Sequence, residues 1–243
     1  MPGLVERAGE ALLDLLYPRA IACGLCGVEL DTPGVLCPDC AGKLPPPAGP
    51  ICAGCGRTCT GEERMCRSCR SNGPVSDGGF AAHDYRDMAR GLLVALKFDD
   101  RTGVRELFSH SMAAAVRSGG VADAIDCVVP VPMHWLRRFN RGYNQSELLA
   151  QWVARSLGKP YLRRALSRPV HTRIIARTKG GLRRRQRSAQ SSYRPGRDAV
   201  AGKTVLLVDD ILTSGSTLRV CVSIVRQMGA AGVYTVVAAA VPE

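Results

Sequence analysis

The apolar and polar positions of residues 80–241 alternate between the patterns of strands and of helices. Short apolar runs, mostly rich in β-branched residues, predict strands over 80–85, 126–132, 162–167, 204–208 and 232–241. Apolar residues at helical spacing predict helices over 4–16, 87–97, 105–116 and 146–157, and another from about residue 216 onward. The alternation predicts an α/β fold with a doubly wound, mostly parallel sheet, whose ligands bind outside the carboxyl ends of the strands.

A candidate site with clear chemistry follows the predicted strand 204–208. Two carboxylates and a turn rich in hydroxyl groups come next, and a predicted helix begins at this turn. Free N–H groups at a helix N-terminus bind phosphate, while carboxylates accept hydrogen bonds from vicinal sugar hydroxyls or bind a divalent metal. The alternative is an ordinary helix start, where acidic residues are also favoured. The residues concerned are Asp209, Asp210, Thr213, Ser214, Gly215, Ser216 and Thr217.

This succession of an apolar run, an acidic pair and a hydroxyl-rich turn resembles the signature of the type I phosphoribosyltransferases, which hold phosphoribosyl pyrophosphate. The resemblance implies that Asp209 and Asp210 hold the ribose hydroxyls, with a catalytic role if the protein is an enzyme, and that the turn holds the 5-phosphate. A Walker-type phosphate loop is excluded, because no Gly-Lys-Ser or Gly-Lys-Thr follows four variable residues after a glycine.

Cysteines before residue 70 recur in a duplicated pattern. Two Cys-x2-Cys pairs separated by ten residues occur twice, at an offset of 29 residues. Four thiolates at this spacing predict closed tetrahedral sites and therefore two structural zinc ions, with an iron–sulfur cluster as the alternative. Two further cysteines, Cys127 and Cys221, lie in apolar patterns that indicate buried, inert thiols. The predicted ligands are Cys23, Cys26, Cys37 and Cys40 in the first module and Cys52, Cys55, Cys66 and Cys69 in the second.

The composition changes after the cysteine modules and divides the chain into two predicted regions. Residues 1–74 hold the N-terminal helix and the double zinc ribbon, and residues 75–243 hold the α/β domain. A proline-rich spacer over 43–50 separates the two modules. The chain has no apolar run near 18 residues, and acidic residues interrupt 4–16, which is untypical of a signal peptide. We therefore expect a cytoplasmic protein without membrane insertion.

The formal net charge of +12 is concentrated in one segment. Residues 134–197 contain 17 Lys or Arg and a single acidic residue, Glu147. Such a local excess of positive charge favours a phosphate-rich partner. Within it, residues 168–198 are too long and polar for an ordinary connection, so we expect a mobile functional loop.

Nearly the whole chain resembles the ComF family of competence proteins. The resemblance rests on the two cysteine modules, Val129-Pro-Val-Pro132, Arg141-Gly-Tyr-Asn-Gln145 and the acidic turn, in that order. It implies a double zinc ribbon before a phosphoribosyltransferase-like domain, a link to DNA uptake, and a DNA-uptake helicase as a partner. It also implies phosphoribosyl pyrophosphate with Mg²⁺ as the ligand, and a basic lid in which Arg177 and Lys179 contact that ligand.

Two functions remain open from the sequence. In the first, the protein binds phosphoribosyl pyrophosphate and also grips single-stranded DNA through its basic segment, whose aromatic residues stack on bases. In the second, it is an active phosphoribosyltransferase of nucleotide metabolism, in which Mg²⁺ and lid cations stabilise the departing pyrophosphate. The predicted nucleic-acid contacts are Arg137, Arg138, Arg141, Arg183, Arg184, Arg185 and Arg187.

Overall fold

The structure is a computed structural model that describes residues 23, 26–30, 36–61, 64–96, 102–134, 143–169 and 192–243. The predicted helix over 4–16 lies outside these residues. So do the lid residues Arg177 and Lys179, and all seven arginines predicted to contact nucleic acid.

A four-stranded parallel sheet forms the centre of the described chain. Its strands are β1 (Gly78–Asp84), β2 (Cys127–Pro130), β5 (Thr204–Leu212) and β6 (Gly232–Ala240), in the spatial order β1-β6-β5-β2. Two short strands, β3 (Leu166–Ser167) and β4 (Arg194–Pro195), form a separate antiparallel ladder. The parallel sheet predicted from the sequence is confirmed.

Helices connect the strands and cover both faces of the sheet. Among the described residues, two short helices belong to the cysteine modules, and four longer ones belong to the α/β region. They are α1 (Pro38–Gly42), α2 (Arg67–Asn72), α3 (Asp87–Ala95), α4 (Thr102–Ser118), α5 (Gln145–Leu157) and α6 (Ser216–Gln227). Asn144 caps α5 by accepting a hydrogen bond from the Ser146 N–H, and Gly158 ends the helix in the left-handed conformation. Local capping signals thus fix both ends of α5.

The apolar core is divided by the sheet into two parts. On one face, side chains of α3, α4 and α5 pack against alternate residues of the strands, with Phe108, Met112 and Leu149 among the fully buried ones. On the other face, α6 packs together with the second cysteine module. Full burial of each large apolar side chain contributes about 1.5–3 kcal/mol. The second module is therefore part of the main core.

Strand β5 is longer than its apolar pattern predicts. The predicted strand stopped at Val208, whereas β5 continues through Asp209 and Asp210 to Leu212. The reason is its partner β6, which has nine residues and pairs as far as Leu212 with Ala240. Aspartate is depleted in strands in general, so the pattern gave no signal for the extension. The acidic pair therefore lies near the end of strand β5 and not in the loop after it.

The predicted loop over 168–198 is described only at its two ends. Residues 192–198 include β4, and in the β3–β4 ladder Ser167 pairs with Arg194. This ladder brings the two stems of the loop together. Within the described part of the chain, no helix has the length and apolar character needed to cross a bilayer.

Candidate functional site

A polar cavity of about 380 Å³ lies at the carboxyl ends of β2 and β5. This edge of a parallel sheet is where α/β proteins place their ligands. Six stretches of the chain contribute to the lining: the end of β5 with the turn after it, the residues after β2, the start of α5, the two stems of the 168–198 loop, and Tyr85 after β1. The cavity therefore joins regions that are distant in sequence.

Asp209 is the buried member of the acidic pair in this cavity. Its Oδ1 accepts hydrogen bonds from Ser146 Oγ at 2.9 Å and from the Asp210 N–H at 3.0 Å. Burial, and then the neighbouring charge of Asp210, raise the pKa of Asp209 well above its usual range, although the bond from Ser146 opposes this. A cation or a set of hydroxyl donors in the cavity would favour the ionised carboxylate.

The hydroxyl-rich turn joins β5 to α6. Gly215 is the N-cap of α6 and has φ of 73°, a left-handed conformation that glycine adopts without strain. The hydroxyls of Ser214 and Ser216 lie 3.0 Å apart. Thr213 and Thr217 line the same cavity as Asp209 and Asp210. The structure thus brings the acidic pair and both ends of the turn to a single cavity.

The start of α5 adds residues that the sequence analysis did not assign to the site. Asn144 and Ser146 line the cavity, and both are buried. Besides capping α5, Asn144 donates from Nδ2 to the carbonyl of Val131 at 3.2 Å, which fixes the helix start against the residues after β2. The signal for these positions was an asparagine followed by a helical pattern, which is an N-cap signature.

The stems of the 168–198 loop contribute Arg168 and Tyr193 to the cavity, and neither was predicted as a site residue. The guanidinium of Arg168 lies 4.8 Å from the centre of the Tyr193 ring, in cation–π geometry. Burial raises the pKa of the Tyr193 hydroxyl, so this phenol stays neutral. Arg168 therefore adds a positive charge to the lining of the cavity that also contains the acidic pair.

Part of the basic segment surrounds the β3–β4 ladder. Arg163, Arg164, Arg194 and Arg197 are exposed there, and three of them line a second cavity of about 440 Å³. Arg163 forms an ion pair with Glu147, with a distance of 3.2 Å between Nε and Oε2. The predicted ligand contacts Arg177 and Lys179 lie outside the described residues, as do the predicted nucleic-acid contacts Arg137, Arg138, Arg141, Arg183, Arg184, Arg185 and Arg187.

The eight predicted cysteine ligands form two groups with the geometry of metal sites. Within each group the sulfur atoms all lie within 4.8 Å of one another. The distances Cys26 Sγ–Cys37 Sγ and Cys55 Sγ–Cys66 Sγ are both 3.7 Å. A tetrahedron with zinc–sulfur bonds of about 2.3 Å has edges of about 3.8 Å. Both groups therefore fit structural zinc.

The two modules repeat their hydrogen bonds as well as their cysteines. The N–H of Cys23 donates to Val28 at 2.7 Å, and the N–H of Cys52 donates to Arg57 at 2.9 Å. Cys59 is buried beside the second module but is not among the eight grouped sulfurs of the described chain, and burial raises its pKa to about 11. Cys127 and Cys221 are buried, as predicted.

Comparisons with known proteins match two parts of the chain to described families. Residues 12–70 match the family described as the double zinc ribbon domain, and residues 144–243 match the phosphoribosyl transferase domain. Competence protein F of Haemophilus influenzae is 26% identical over 197 residues, which cover 80% of this chain and 85% of that protein. The DNA utilization protein YhgH of Escherichia coli K12 is 30% identical over 189 residues, which cover 75% of this chain and 81% of that protein.

The chain belongs to the ComF family of competence proteins. The competence protein ComFC of Bacillus subtilis is a more distant relative, 23% identical over 206 residues that cover 81% of this chain and 80% of that protein. The resemblance drawn from the sequence is confirmed. This ComF-family chain is a phosphoribosyltransferase-like protein whose N-terminal region holds two four-cysteine sites that fit structural zinc.

Proposed function

We propose that this ComF-family protein binds phosphoribosyl pyrophosphate together with Mg²⁺ in the cavity at the end of β5. Asp209 and Asp210 hold the ribose hydroxyls and the metal, and Thr213 to Thr217 hold the 5-phosphate. The observation that carries the proposal is that a buried carboxylate, its neighbour and a helix N-terminal turn line one cavity at the ligand-binding edge of the sheet. Arg168 adds a positive charge where a second phosphate group requires one.

Calorimetry with phosphoribosyl pyrophosphate and Mg²⁺ tests this proposal. The double variant Asp209→Asn, Asp210→Asn should lose most of the affinity, because an amide supplies no charge to a metal ion. The single variant Asp123→Asn is a matched control, since this exposed carboxylate lies far from β5 in sequence and does not line the cavity. Absence of binding to the wild-type protein would contradict the proposal.

Binding should also release protons, because the ligand favours the ionised form of a carboxylate whose pKa is raised in the free protein. Calorimetry in buffers of different ionisation enthalpy measures this release. It should disappear in Asp209→Asn. Affinity should rise with pH up to the raised pKa of Asp209 and then level off.

We further propose that the basic segment, residues 134–197, binds single-stranded DNA and that this binding contributes to the use of DNA by the cell. The support is the ratio of 17 basic residues to one acidic residue over 134–197, together with the exposed arginines around the β3–β4 ladder. The names of the relatives, competence protein and DNA utilization protein, favour the same partner. On this proposal, phosphate contacts carry the affinity and aromatic side chains stack on the bases.

A salt titration of single-stranded DNA binding tests this second part. The logarithm of the affinity should fall with the logarithm of the salt concentration by roughly 0.7 per phosphate contact. Replacing Arg183, Arg184, Arg185 and Arg187 together by Ala should flatten the slope by up to about 3. Replacing Arg64, Arg67, Arg70 and Arg90 by Ala removes the same charge elsewhere and should change the slope much less. Equal effects of the two variants would contradict the assignment.

The second candidate function is an active phosphoribosyltransferase with an acceptor base. The observation that favours it is that Arg168 lines the cavity, because its positive charge would stabilise a leaving pyrophosphate bound there. Release of pyrophosphate from phosphoribosyl pyrophosphate, measured with each common nucleobase in turn, tests it. If the four-arginine variant binds DNA normally and loses only affinity for pyrophosphate, the basic segment is a catalytic lid.

A further inference from the structure

The second zinc module, residues 52–69, lies directly against the phosphate turn Thr213–Thr217. The guanidinium of Arg57 in this module donates to the backbone carbonyl of Thr213. Val75, a few residues after the module, packs against the turn so closely that a Cβ on Gly215 would lie 3.3 Å from Val75 Cγ2. The turn that binds phosphate in the proposed function is therefore supported by the zinc module.

Arg57 sets the orientation of a peptide group in the turn. The peptide between Thr213 and Ser214 is planar and trans, so its C=O and N–H point in opposite directions. By holding the Thr213 carbonyl, Arg57 fixes the direction of the Ser214 N–H, which is a donor of the phosphate turn. The matching position in the first module, 29 residues earlier, is Val28, an apolar residue that is 50% exposed. This contact therefore belongs to the second module only.

Arg219 links the first turn of α6 to the zinc site itself. Its backbone N–H donates to the carbonyl of Gly215 at 2.9 Å. Its Nη1 donates to the carbonyls of Asn72 and Pro74 at 3.0 and 3.1 Å, and its Nη2 donates to Cys69 Sγ at 3.8 Å. A guanidinium can make all these bonds because its donors form a rigid planar fork. One side chain thus connects a predicted zinc ligand, the end of α2 and the start of α6.

The charges explain why this link depends on the metal. Four thiolates around one zinc ion leave a net charge of about −2, which the Arg219 guanidinium partly neutralises. The fold of a small zinc module is lost with its metal. Loss of zinc therefore removes the acceptors that hold Arg219 and displaces the module that carries Arg57.

We propose that Arg57 and Arg219 are positioning residues that couple zinc binding in the second module to phosphate binding in the turn Thr213–Thr217. This inference rests on the proposed function, because the phosphate is that of phosphoribosyl pyrophosphate. Coupling between two binding sites is reciprocal: bound zinc strengthens binding of the ligand, and the ligand strengthens binding of zinc by the same factor. Couplings of this kind typically amount to about 5- to 150-fold.

The test compares Arg219→Met with Arg226→Met in the full-length, zinc-loaded protein. Both arginines lie on α6, but Arg226 pairs with Asp77 at 2.5 Å and contacts neither the turn nor the cysteines in the described chain. One readout is the affinity for phosphoribosyl pyrophosphate with Mg²⁺ by calorimetry. The other is the zinc retained per chain against increasing amounts of a zinc-selective chelator, with and without phosphoribosyl pyrophosphate.

In the wild type, phosphoribosyl pyrophosphate should raise the chelator concentration needed to remove one of the two zinc ions. Arg219→Met should still contain both ions, bind phosphoribosyl pyrophosphate about 5- to 150-fold more weakly, and lose this protection. Arg226→Met should match the wild type in both readouts. If Arg219→Met does not fold, Arg57→Met gives the same test, since its side chain is only partly buried.

Two results would overturn the coupling and leave the proposed function intact. They are a wild type that binds phosphoribosyl pyrophosphate without any protection of zinc, and a folded, zinc-loaded Arg219→Met or Arg57→Met that binds it with wild-type affinity. A wild type that does not bind phosphoribosyl pyrophosphate at all would overturn both.

Discussion

The two cysteine modules share their spacing but differ in their surroundings. In the first, Cys23, Cys37 and Cys40 form a small cluster of their own with Leu30 and Leu36, and Cys26 is exposed. In the second, all four ligands are buried in the core that also contains α6 and one face of the sheet. The same metal motif therefore serves as a peripheral element at one position and as part of the main core at the other.

Two matched glycines show how this difference arises. Gly27 and Gly56 follow the first cysteine pair of their modules and have similar φ angles, 75° and 79°. A Cβ on Gly27 would meet nothing within 4 Å, whereas a Cβ on Gly56 would lie 2.5 Å from the Phe80 backbone. The backbone also bonds across this junction, from the Gly79 N–H to Ala53 at 3.0 Å. The second module thus abuts β1 directly.

The first module reaches the sheet through its proline-rich spacer. Leu44 is buried in the core on the opposite face of the sheet, and the Pro45 carbonyl lies 2.9 Å from His83 Nδ1. The next residue of β1, Asp84, accepts a hydrogen bond of 2.7 Å from Thr58 of the second module. Adjacent residues of β1 therefore contact the spacer that follows the first module and the second module itself, and within the described chain only the second module brings its metal ligands into the main core.

The largest difference between the two modules should appear in the stability of variants that each lack one metal ligand. Cys37 and Cys66 occupy equivalent positions and precede α1 and α2. Cys66→Ser should destabilise the whole sheet by on the order of 5 kcal/mol or more, because zinc contributes about 10–16 kcal/mol to folding of zinc modules. Cys37→Ser should unfold its own module and change the main transition by about 1 kcal/mol or less. Urea unfolding followed by circular dichroism, with zinc analysis, measures both. Equal loss of stability in the two variants would show that the first module is also part of the core.

The matched glycines provide the next largest effect. Gly27→Ala should destabilise its own module by about 1–2 kcal/mol, the strain of a left-handed backbone with a side chain, and should change the main transition by about 1 kcal/mol or less. Gly56→Ala adds an overlap with backbone atoms of Phe80, which cannot rotate away, so we expect a loss above about 3 kcal/mol. The same unfolding experiment measures both variants. A cost for Gly56→Ala that matches that of Gly27→Ala would mean that the junction with β1 relaxes easily.

Much of this arrangement could be predicted from the sequence, because its signals are local. Cysteine spacing predicted both metal sites, and the apolar pattern predicted the parallel sheet and the four longer helices, but not α1, α2 or β4. The predicted end of β5 was wrong, because the extension of this strand depends on its pairing with β6, and a local pattern contains no information about that pairing. The role of the second module in the core was not predicted either, since Gly56 and Gly27 look alike until Phe80 is placed beside one of them.

In the candidate site, too, local signals could be predicted and contacts between distant residues could not. The acidic pair and the turn are contiguous in sequence, so their grouping could be predicted. Ser146, Arg168 and Tyr193 come to the cavity from three other elements, and only the fold brings them together. The missed residues are those that reach the cavity only through long-range contacts. Their residue types do not distinguish them from the residues that were predicted.

Zinc should leave the two modules at different rates. Cys26 is exposed, so a chelator can reach the first site, whereas all four ligands of the second site are buried. We expect two phases of zinc release to a coloured chelator, separated by about tenfold or more, which corresponds to about 1.4 kcal/mol in barrier height. Cys37→Ser should remove the fast phase. Loss of the slow phase in that variant would reverse the assignment of the two sites.

The contact between Pro45, which follows the first module, and His83 of β1 should make the stability of the protein depend slightly on pH. Burial lowers the pKa of His83 from 6.5, an effect that the nearby Asp84 and the bond to Pro45 partly offset. Protonation would also place a second N–H at Nε2, a buried atom with no partner. Because the folded pKa is lowered, the stability that His83 contributes is complete above about pH 6.5 and falls as the pH drops toward the folded pKa.

The urea midpoint should therefore decrease between pH 7 and pH 5 by more in the wild type than in His83→Gln, which keeps a donor for Pro45 and cannot be protonated. Exposed His110→Gln is the control and should keep the wild-type pH dependence. If His83→Gln loses stability with acid as steeply as the wild type, the contact at Pro45 does not sense pH, and the two modules differ only in their metal sites and glycines.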